Sequence, residues 1–413
     1  MKSFLQVIII AFIFISFLLY LPNLTKERNF KDYKDEQLRF TAKSKGLKAI
    51  PNSYEELLKI SDDENNPINL KKIALGKELF FDTKLSLDDT ISCATCHMIS
   101  KNSDDKKIIL NAITSKKTPN DLKDANNCVI CHLSDESGTD RLSTSIGYKG
   151  ATNPHHLNTM TILNSSLAKY LTWNGEIKTL EQQISNSIQA PSKMNIKADD
   201  LVKKLKNDKK YISDFKEVFK DEIKENQENK DYLSFENIQK AIAVYVKTLL
   251  TRSSFDEFLE GNNEAISKDA KRGLVNFMNF GCSGCHTGMS VGGQSVQRFP
   301  LRHFAGIHDL RPNLGSPPDF KIIDETFPFE NKGGYLGRSD TQFFRVPILR
   351  NVTKTSPYFH NGAVDKIREA VEIMGRHQVG LNLSDQQIDE IVEFLKTLEG
   401  NVVDYSKDTK VIK

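Results

Sequence analysis

The chain offers no cysteine for a disulfide beyond three short pairs. All six cysteines fall in Cys-x-x-Cys units at Cys93/Cys96, Cys128/Cys131 and Cys282/Cys285. A small scaffold stapled by distant disulfides is thereby excluded. Tryptophan occurs once, at Trp173. Apolar residues make up 38% of the chain, little for a globular protein, so part of the core has to be supplied by something other than side chains. The net charge is only +3, and no lysine/arginine stripe with interleaved aromatics occurs, which argues against a nucleic-acid partner. Alternation of apolar and polar residues is also missing, so sheet is not expected.

What is present is a histidine directly after each cysteine pair: His97, His132 and His286. Histidine is 9 of 413 residues. Chance would place one after a given pair about 2% of the time, and after all three roughly once in 100,000. Cys-x-x-Cys-His is the attachment signal for c-type haem. Two intervening residues let both sulfurs reach one porphyrin edge as thioethers, and the next residue can turn under the ring to ligate iron. Zinc sites or redox dithiols are the competing reading, and the histidines weigh against it. Three covalent haems c are expected, with electron transfer, redox catalysis or both as the consequence.

The first 22 residues read as a targeting segment. Phe4 to Leu21 is apolar except for Gln6 and Ser16. At 1.5 Å per residue it spans about 27 Å, near the thickness of a bilayer's hydrocarbon core. Leu19-Tyr20-Leu21-Pro22 offers no small-x-small cleavage site. An uncleaved transmembrane anchor is favoured, with a cleaved signal as the alternative. Either places the remaining chain outside the inner membrane, which in a bacterium is the periplasm.

The expected organisation is anchor or signal 1–22, tether 23–66, an N-terminal cytochrome c domain 67–243 with two haem motifs, a C-terminal cytochrome c domain 244–401, and a tail 402–413. The fold class is mostly α. Apolar spacing predicts helices over 73–81, 180–188, 198–205 and 234–250, the last of which could open the second domain. The charge run 206–231 reads as a solvated helix with its flanking loop, and 98–127 as a loop-like excursion. Two late helices are expected, 365–374 stopped by Gly375 and 384–398 opened by a Ser-x-x-Gln cap.

Four blocks resemble the bacterial di-haem cytochrome c peroxidase family over about residues 75–400. They are Leu79-Phe-Phe-Asp-Thr-Lys-Leu-Ser86 leading to Ile91-Ser-Cys, Thr172-Trp-Asn-Gly175, Phe344-Arg-Val-Pro-Ile-Leu-Arg-Asn351, and Ser356-Pro-Tyr-Phe-His-Asn-Gly362 followed by Glu369-Ala-Val-Glu-Ile-Met374. The resemblance implies two cytochrome c domains, an N-terminal peroxidatic haem and a C-terminal high-potential haem. It implies hydrogen peroxide as substrate and a small cytochrome or a quinol as electron donor. His286 and Met374 would hold the high-potential iron, since methionine ligation raises the potential. Trp173 would assist transfer between haems. Asn158, Thr355 and Pro357 would bind calcium. Gln183 would lie in the distal pocket of the peroxidatic haem and His360 near it, where packing is almost as good a reading.

The chain departs from the family in three places. Its distal acid/base glutamate falls at Lys193, its switchable distal histidine at Tyr148, and it has a third haem. The stretch from His97 to His132 looks like an insertion bounded by two copies of one motif. His97 is favoured over His132 for the peroxidatic haem. The sixth ligand of the other would be His155, His156, Met98 or no residue at all. The expectation is a tri-haem, membrane-anchored peroxidase, with Lys193 added to the candidate catalytic residues. A multihaem electron-transfer cytochrome without turnover is the alternative, and an oxidase of protein side chains, hinted at by Tyr148, a third. The inner membrane is the expected surface partner, and a homodimer one expected assembly.

Overall fold

The computed structural model describes residues 30–99, 137–222, 231–301 and 327–405. The N-terminal apolar run, the second cysteine motif with His132, and the loop expected over most of 98–127 lie outside these residues. Among the described residues no helix is long and apolar enough to cross a membrane. The architecture is mostly helical. Its three-residue strands, too short to leave an alternation signal, form two antiparallel pairs: β1 (Thr251–Ser253) with β4 (Gly400–Val402), and β2 (Val296–Arg298) with β3 (Phe343–Arg345).

The chain begins with α1 (Asp35–Ser44), α2 (Tyr54–Ser61), α3 (Leu70–Phe81) and the single turn α4 (Cys93–Cys96). It continues with α5 (Leu180–Gln189), α6 (Ala198–Lys206), α7 (Lys209–Phe219) and α8 (Phe235–Lys247). The last set is α9 (Ser254–Glu260), α10 (Lys268–Asn279), α11 (Ile367–Met374) and α12 (Asp385–Lys396). Side-chain caps start several of them. Asn69 accepts from the Lys72 amide, Ser234 from that of Asn237, and Ser384 from that of Gln387.

Two helix crossings organise the core. In one, α3 packs on α8, and a Cβ at Gly76 would come within 2.0 Å of the Ala241 carbonyl oxygen. In the other, α10 packs on α12, and a Cβ at Gly273 would come within 1.8 Å of the Glu390 carbonyl oxygen. Glycine at each crossing lets the two backbones approach where any side chain would hold them apart. Leu79, Phe80, Ile238 and Ile242 belong to the first core, Leu274, Phe277, Ile391 and Phe394 to the second. Each crossing therefore stands beside one cysteine motif. The helix 235–247 packs into the first core, so its chemistry belongs with the first motif.

Several expectations shift. Residues 30–66 are not merely a tether with one short helix. Leu38 and Ala42, four apart on α1, are buried in the second core with Leu47. The run 206–231 is not simply solvated, because Tyr211, Phe215 and Phe219 repeat every four residues and bury one face of α7. Gly375 does not stop its helix. Gly375–Val379 forms a π-helical turn, and Gly380, at φ +75°, ends it. The tail is anchored: Val402 pairs with Thr251, and the Tyr405 hydroxyl donates to the Pro51 carbonyl at 3.1 Å. A fully buried ion pair, Arg350 with Asp256 at 2.7 Å, binds these parts together, because Asp256 also accepts from the Ile50 amide.

Candidate haem sites

After α10 the chain turns at Gly281, φ +88°, and presents Cys282, Cys285 and His286 to a cavity of about 610 Å³. Met374, the last residue of α11, lines the same cavity. A π-helical turn immediately follows it, a feature that often marks functional positions. Phe277 of α10, Phe280 just after it, and Ile391 and Leu395 of α12 supply apolar wall. His286 is 8% exposed. Burial holds its pKa at about 4, although the carbonyls of Pro347 and Val291 favour protonation. A neutral imidazole is the form that binds metal. Burial likewise pushes the Cys282 thiol up to about 12. No disulfide joins the described cysteines. In the attached protein each sulfur would be a thioether, for which thiolate formation is irrelevant.

Arg345, on β3, reaches the same cavity and was not singled out from sequence. It is 3% exposed, its Nε has no hydrogen-bond partner among the described residues, and burial pulls its pKa down to about 10. A buried guanidinium without an anion is costly. Haem carries two propionates, so this orphaned donor fits the group that the cysteines and His286 would hold. The available sequence signal was an arginine set between apolar residues in Phe343-Phe-Arg-Val-Pro347.

Trp173 and His360 line the same cavity. The Trp173 carbonyl accepts from the Arg345 amide at 2.8 Å, and its indole Nε1 donates to the Asn158 carbonyl at 2.9 Å. Its ring meets His360 edge-on at 6.5 Å. His360 was expected near the first haem's pocket. The structure places it on the wall of the second, drawn there by an aromatic cluster: its ring stacks on Phe344 at 4.8 Å, and its Nε2 lies 2.8 Å from Asn331 Oδ1. Thr355 and Pro357 line this cavity too, while Asn158 is tied to the neighbourhood through its amide, which donates to the His360 carbonyl at 2.8 Å. Among the described residues no group of three or more His, Cys, Asp or Glu could hold a metal. A calcium site here would rest on neutral oxygens, donors that suit that cation but bring it no charge.

The first motif is built differently. A capping box between Ser92 and Thr95 fixes the single turn that carries Cys93 and Cys96, and His97 ends it. The Nδ1 atom of His97 lies 3.1 Å from the Gly138 carbonyl, an arrangement that orients the ring and leaves Nε2 for iron. Burial takes this histidine's pKa to about 4, and the positive charge of Lys193 adds to the fall. Polar groups gather around it. The Tyr148 amide donates to the Lys193 carbonyl at 2.7 Å. Gln183 Nε2 and Lys193 Nζ both donate to Ser187 Oγ, at 3.4 and 3.5 Å. The Gln183 Oε1 atom is buried without a partner. Lys193 is open on one side, yet desolvation by the protein around it lowers its pKa from the ordinary lysine value.

The structure thus brings Cys93, Cys96, His97, Gln183, Lys193 and Tyr148 into one neighbourhood, and Cys282, Cys285, His286, Met374, Trp173 and His360 into another. His132, whose haem the candidate sixth ligands would serve, lies outside the described residues. Met98 is buried in the first core, the His155 ring packs 5.3 Å from Tyr335, and His156 lies near the charges of Glu330 and Lys332.

A family model described as di-haem cytochrome c peroxidase matches residues 70–123 and 121–264. The chain is 32% identical over 347 residues to the cytochrome c551 peroxidase of Nitrosomonas europaea, covering 82% of this chain and 83% of that one. It is 30% identical over 358 residues to the cytochrome c551 peroxidase of Pseudomonas aeruginosa, covering 86% and 84%. Among solved structures, a MauG-like protein associated with microbial copper homeostasis superposes with a TM-score of 0.60 at 22% identity, over 89% of this chain and 98% of that one, a likeness of fold.

Proposed function

The chain belongs to the di-haem cytochrome c peroxidase family, and on that premise we propose that it is a periplasmic three-haem oxidoreductase reducing hydrogen peroxide to water. It is a peroxidase-type enzyme, and its electrons come from a small cytochrome or a quinol. One observation carries this reading: two neighbourhoods built for haem have unlike surroundings. His286 and Met374 line one cavity, so both axial positions there have a protein candidate. Near His97, Gln183 and Lys193 meet on the Ser187 hydroxyl, and among the described residues no second ligand is assigned to it.

Cys93, Cys96 and His97 would hold the peroxidatic haem; Cys282, Cys285, His286 and Met374 the high-potential one, with Arg345 beside its propionates. Haem, when bound, supplies the redox-active iron. The protein's own residues do the rest. Gln183 orients peroxide through its amide. Lys193 Nζ would hold a proton near His97, and its lowered pKa brings it towards the range useful for transfer. Trp173, tied to Arg345 and Asn158, lines the second cavity and would assist electron transfer between the haems. Cys128, Cys131 and His132 would carry the third haem. The two stretches matched by the family model overlap at 121–123, between the first two motifs. Phe4 to Leu21 would anchor the chain in the inner membrane, and Asn158, Thr355 and Pro357 would bind calcium.

Peroxide turnover with a reduced cytochrome donor tests the proposal, measured on the protein as isolated and after partial reduction. Activity is expected in both states, because Tyr148 stands where the family's switchable histidine falls. The second reading, an electron-transfer cytochrome, is favoured by Lys193 in place of the family's carboxylate. It would stand if neither state turned over and every haem were low-spin. Intact mass of the exported protein is expected to give three haem additions; two would leave one motif vacant.

A further inference from the structure

We propose that Arg298 and Arg345 form a two-point cationic clasp for the propionates of the haem held by His286, and that Arg298 thereby keeps that haem's potential high. The inference rests on Cys282, Cys285 and His286 as the attachment of that haem, but not on peroxide turnover.

The cavity beside His286 has a one-sided charge inventory. The described residues that line it include no aspartate, glutamate or lysine. Arg298 and Arg345 are the charged side chains among them. His286 and His360 line it too, and burial keeps both rings neutral, each with a pKa of about 4. The Nε atom of Arg298, like that of Arg345, is buried without a hydrogen-bond partner. Two guanidiniums against a mostly apolar wall, with no carboxylate beside them, are costly. A ligand with two negative groups would offset both. Haem c carries two propionates, so the count matches.

Strand pairing sets the spacing of the two cations. Val296 lies opposite Arg345, and Arg298 opposite Phe343. The arginines are therefore diagonal neighbours on one face of the β2–β3 ribbon, with backbones about 7–8 Å apart. Propionates leave one porphyrin edge side by side, and two guanidinium forks can take one each. That edge is away from the thioethers, so clasp and cysteines would hold opposite sides of the ring. Gln342 orients Arg298: its Oε1 accepts from Arg298 Nη2 at 3.3 Å, and its carbonyl accepts from the Phe299 amide at 2.9 Å. This leaves the Arg298 Nε for a ligand. Reduction adds negative charge at the iron, and a nearby cation favours it. A unit charge about 10 Å away, at an effective dielectric of about 20, changes electron affinity about tenfold, or about 59 mV for one electron.

The test is a spectroelectrochemical titration of the holoprotein. Arg298→Met is expected to keep the wild-type visible spectrum and to lower the potential of the His286 haem by about tenfold in electron affinity, about 59 mV. Arg298→Lys, which retains the charge, should keep most of the wild-type potential. Equal potentials in wild type and Arg298→Met would overturn the proposal. So would an equal fall in Arg298→Met and Arg298→Lys, the result expected if Arg298 acts through packing alone. Should Arg298→Met lose its wild-type spectrum, the wild type itself decides. With only the His286 haem reduced, its redox-difference infrared spectrum at pH 7 is expected to show no protonated carboxyl band, and such a band would overturn the clasp. A wild type without haem at Cys282 and Cys285 would overturn it too. A protein with the expected potentials but no peroxide turnover would sink the peroxidase reading and leave the clasp intact.

Discussion

The two helix crossings make a natural experiment within one chain. Each pairs a helix preceding a Cys-x-x-Cys-His turn with a later helix, and each uses a glycine, Gly76 or Gly273, to bring the backbones together. Beyond that shared frame the sites diverge. Around His286 the cavity wall is mostly apolar, and Met374 lines the same cavity. Around His97 an amide, a hydroxyl and an ammonium converge. The comparison teaches that the scaffold fixes where haem attaches, and that a handful of residues on the opposite wall decides what the iron can do. A methionine there closes the coordination and raises the potential. Hydrogen-bonding groups there leave room for a ligand from solution.

Removing the methionine should erase most of this difference. In Met374→Ala the haem of His286 is expected to lose its sulfur-to-iron band at the red end of the visible spectrum. Its potential should fall by on the order of a few tenths of a volt, within the roughly 0.8 V that axial ligands span. It should also gain affinity for added imidazole. An unchanged spectrum and potential would make Met374 a packing residue of α11 and remove the proposed asymmetry.

The Cys-x-x-Cys-His units stood out in the sequence because covalent haem attachment, which the family implies, needs fixed residues at fixed spacing; the structure describes two of the three. Met374 was legible only through the resemblance; by periodicity alone it falls on the same stripe as Ile367, Ala370 and Val371. The helices were legible too, for α3, α5, α6, α8 and α12 carry strong apolar spacing. What escaped was set by contacts distant in sequence. Arg345 gained its meaning from a cavity assembled by α10, α11 and α12, and Ser187 from the meeting of two side chains on it. The buried face of α7 was hidden by the lysines and acids around Tyr211, Phe215 and Phe219. The place of His360 depended on aromatic rings gathered from four separate stretches, which no local pattern in Pro357-Tyr-Phe-His360 could announce.

His360 provides a smaller test of the comparison, because its titration reports how dry the second cavity's wall is. It is 3% exposed, and burial lowers its pKa from 6.5 to about 4. Above pH 6.5 the ring is neutral in both the folded and the unfolded chain, and its contribution is fully present. Between pH 6.5 and about 4 the unfolded chain binds a proton there that the folded chain refuses. Stability is therefore lost as pH falls through this window, by up to about 1.4 kcal/mol per pH unit and on the order of 3 kcal/mol in total from this one ring. The iron-bound histidines do not enter the difference between wild type and His360→Phe. That variant keeps the stacking on Phe344 but leaves Asn331 Oδ1 without its partner, at a pH-independent cost of about 1–3 kcal/mol. Denaturation of the holoprotein from pH 7 to pH 4 should then give two curves: wild type more stable near neutrality, and the gap closing towards pH 4. Parallel curves would mean that His360 is hydrated in the folded protein, and that the second site is no drier than the first.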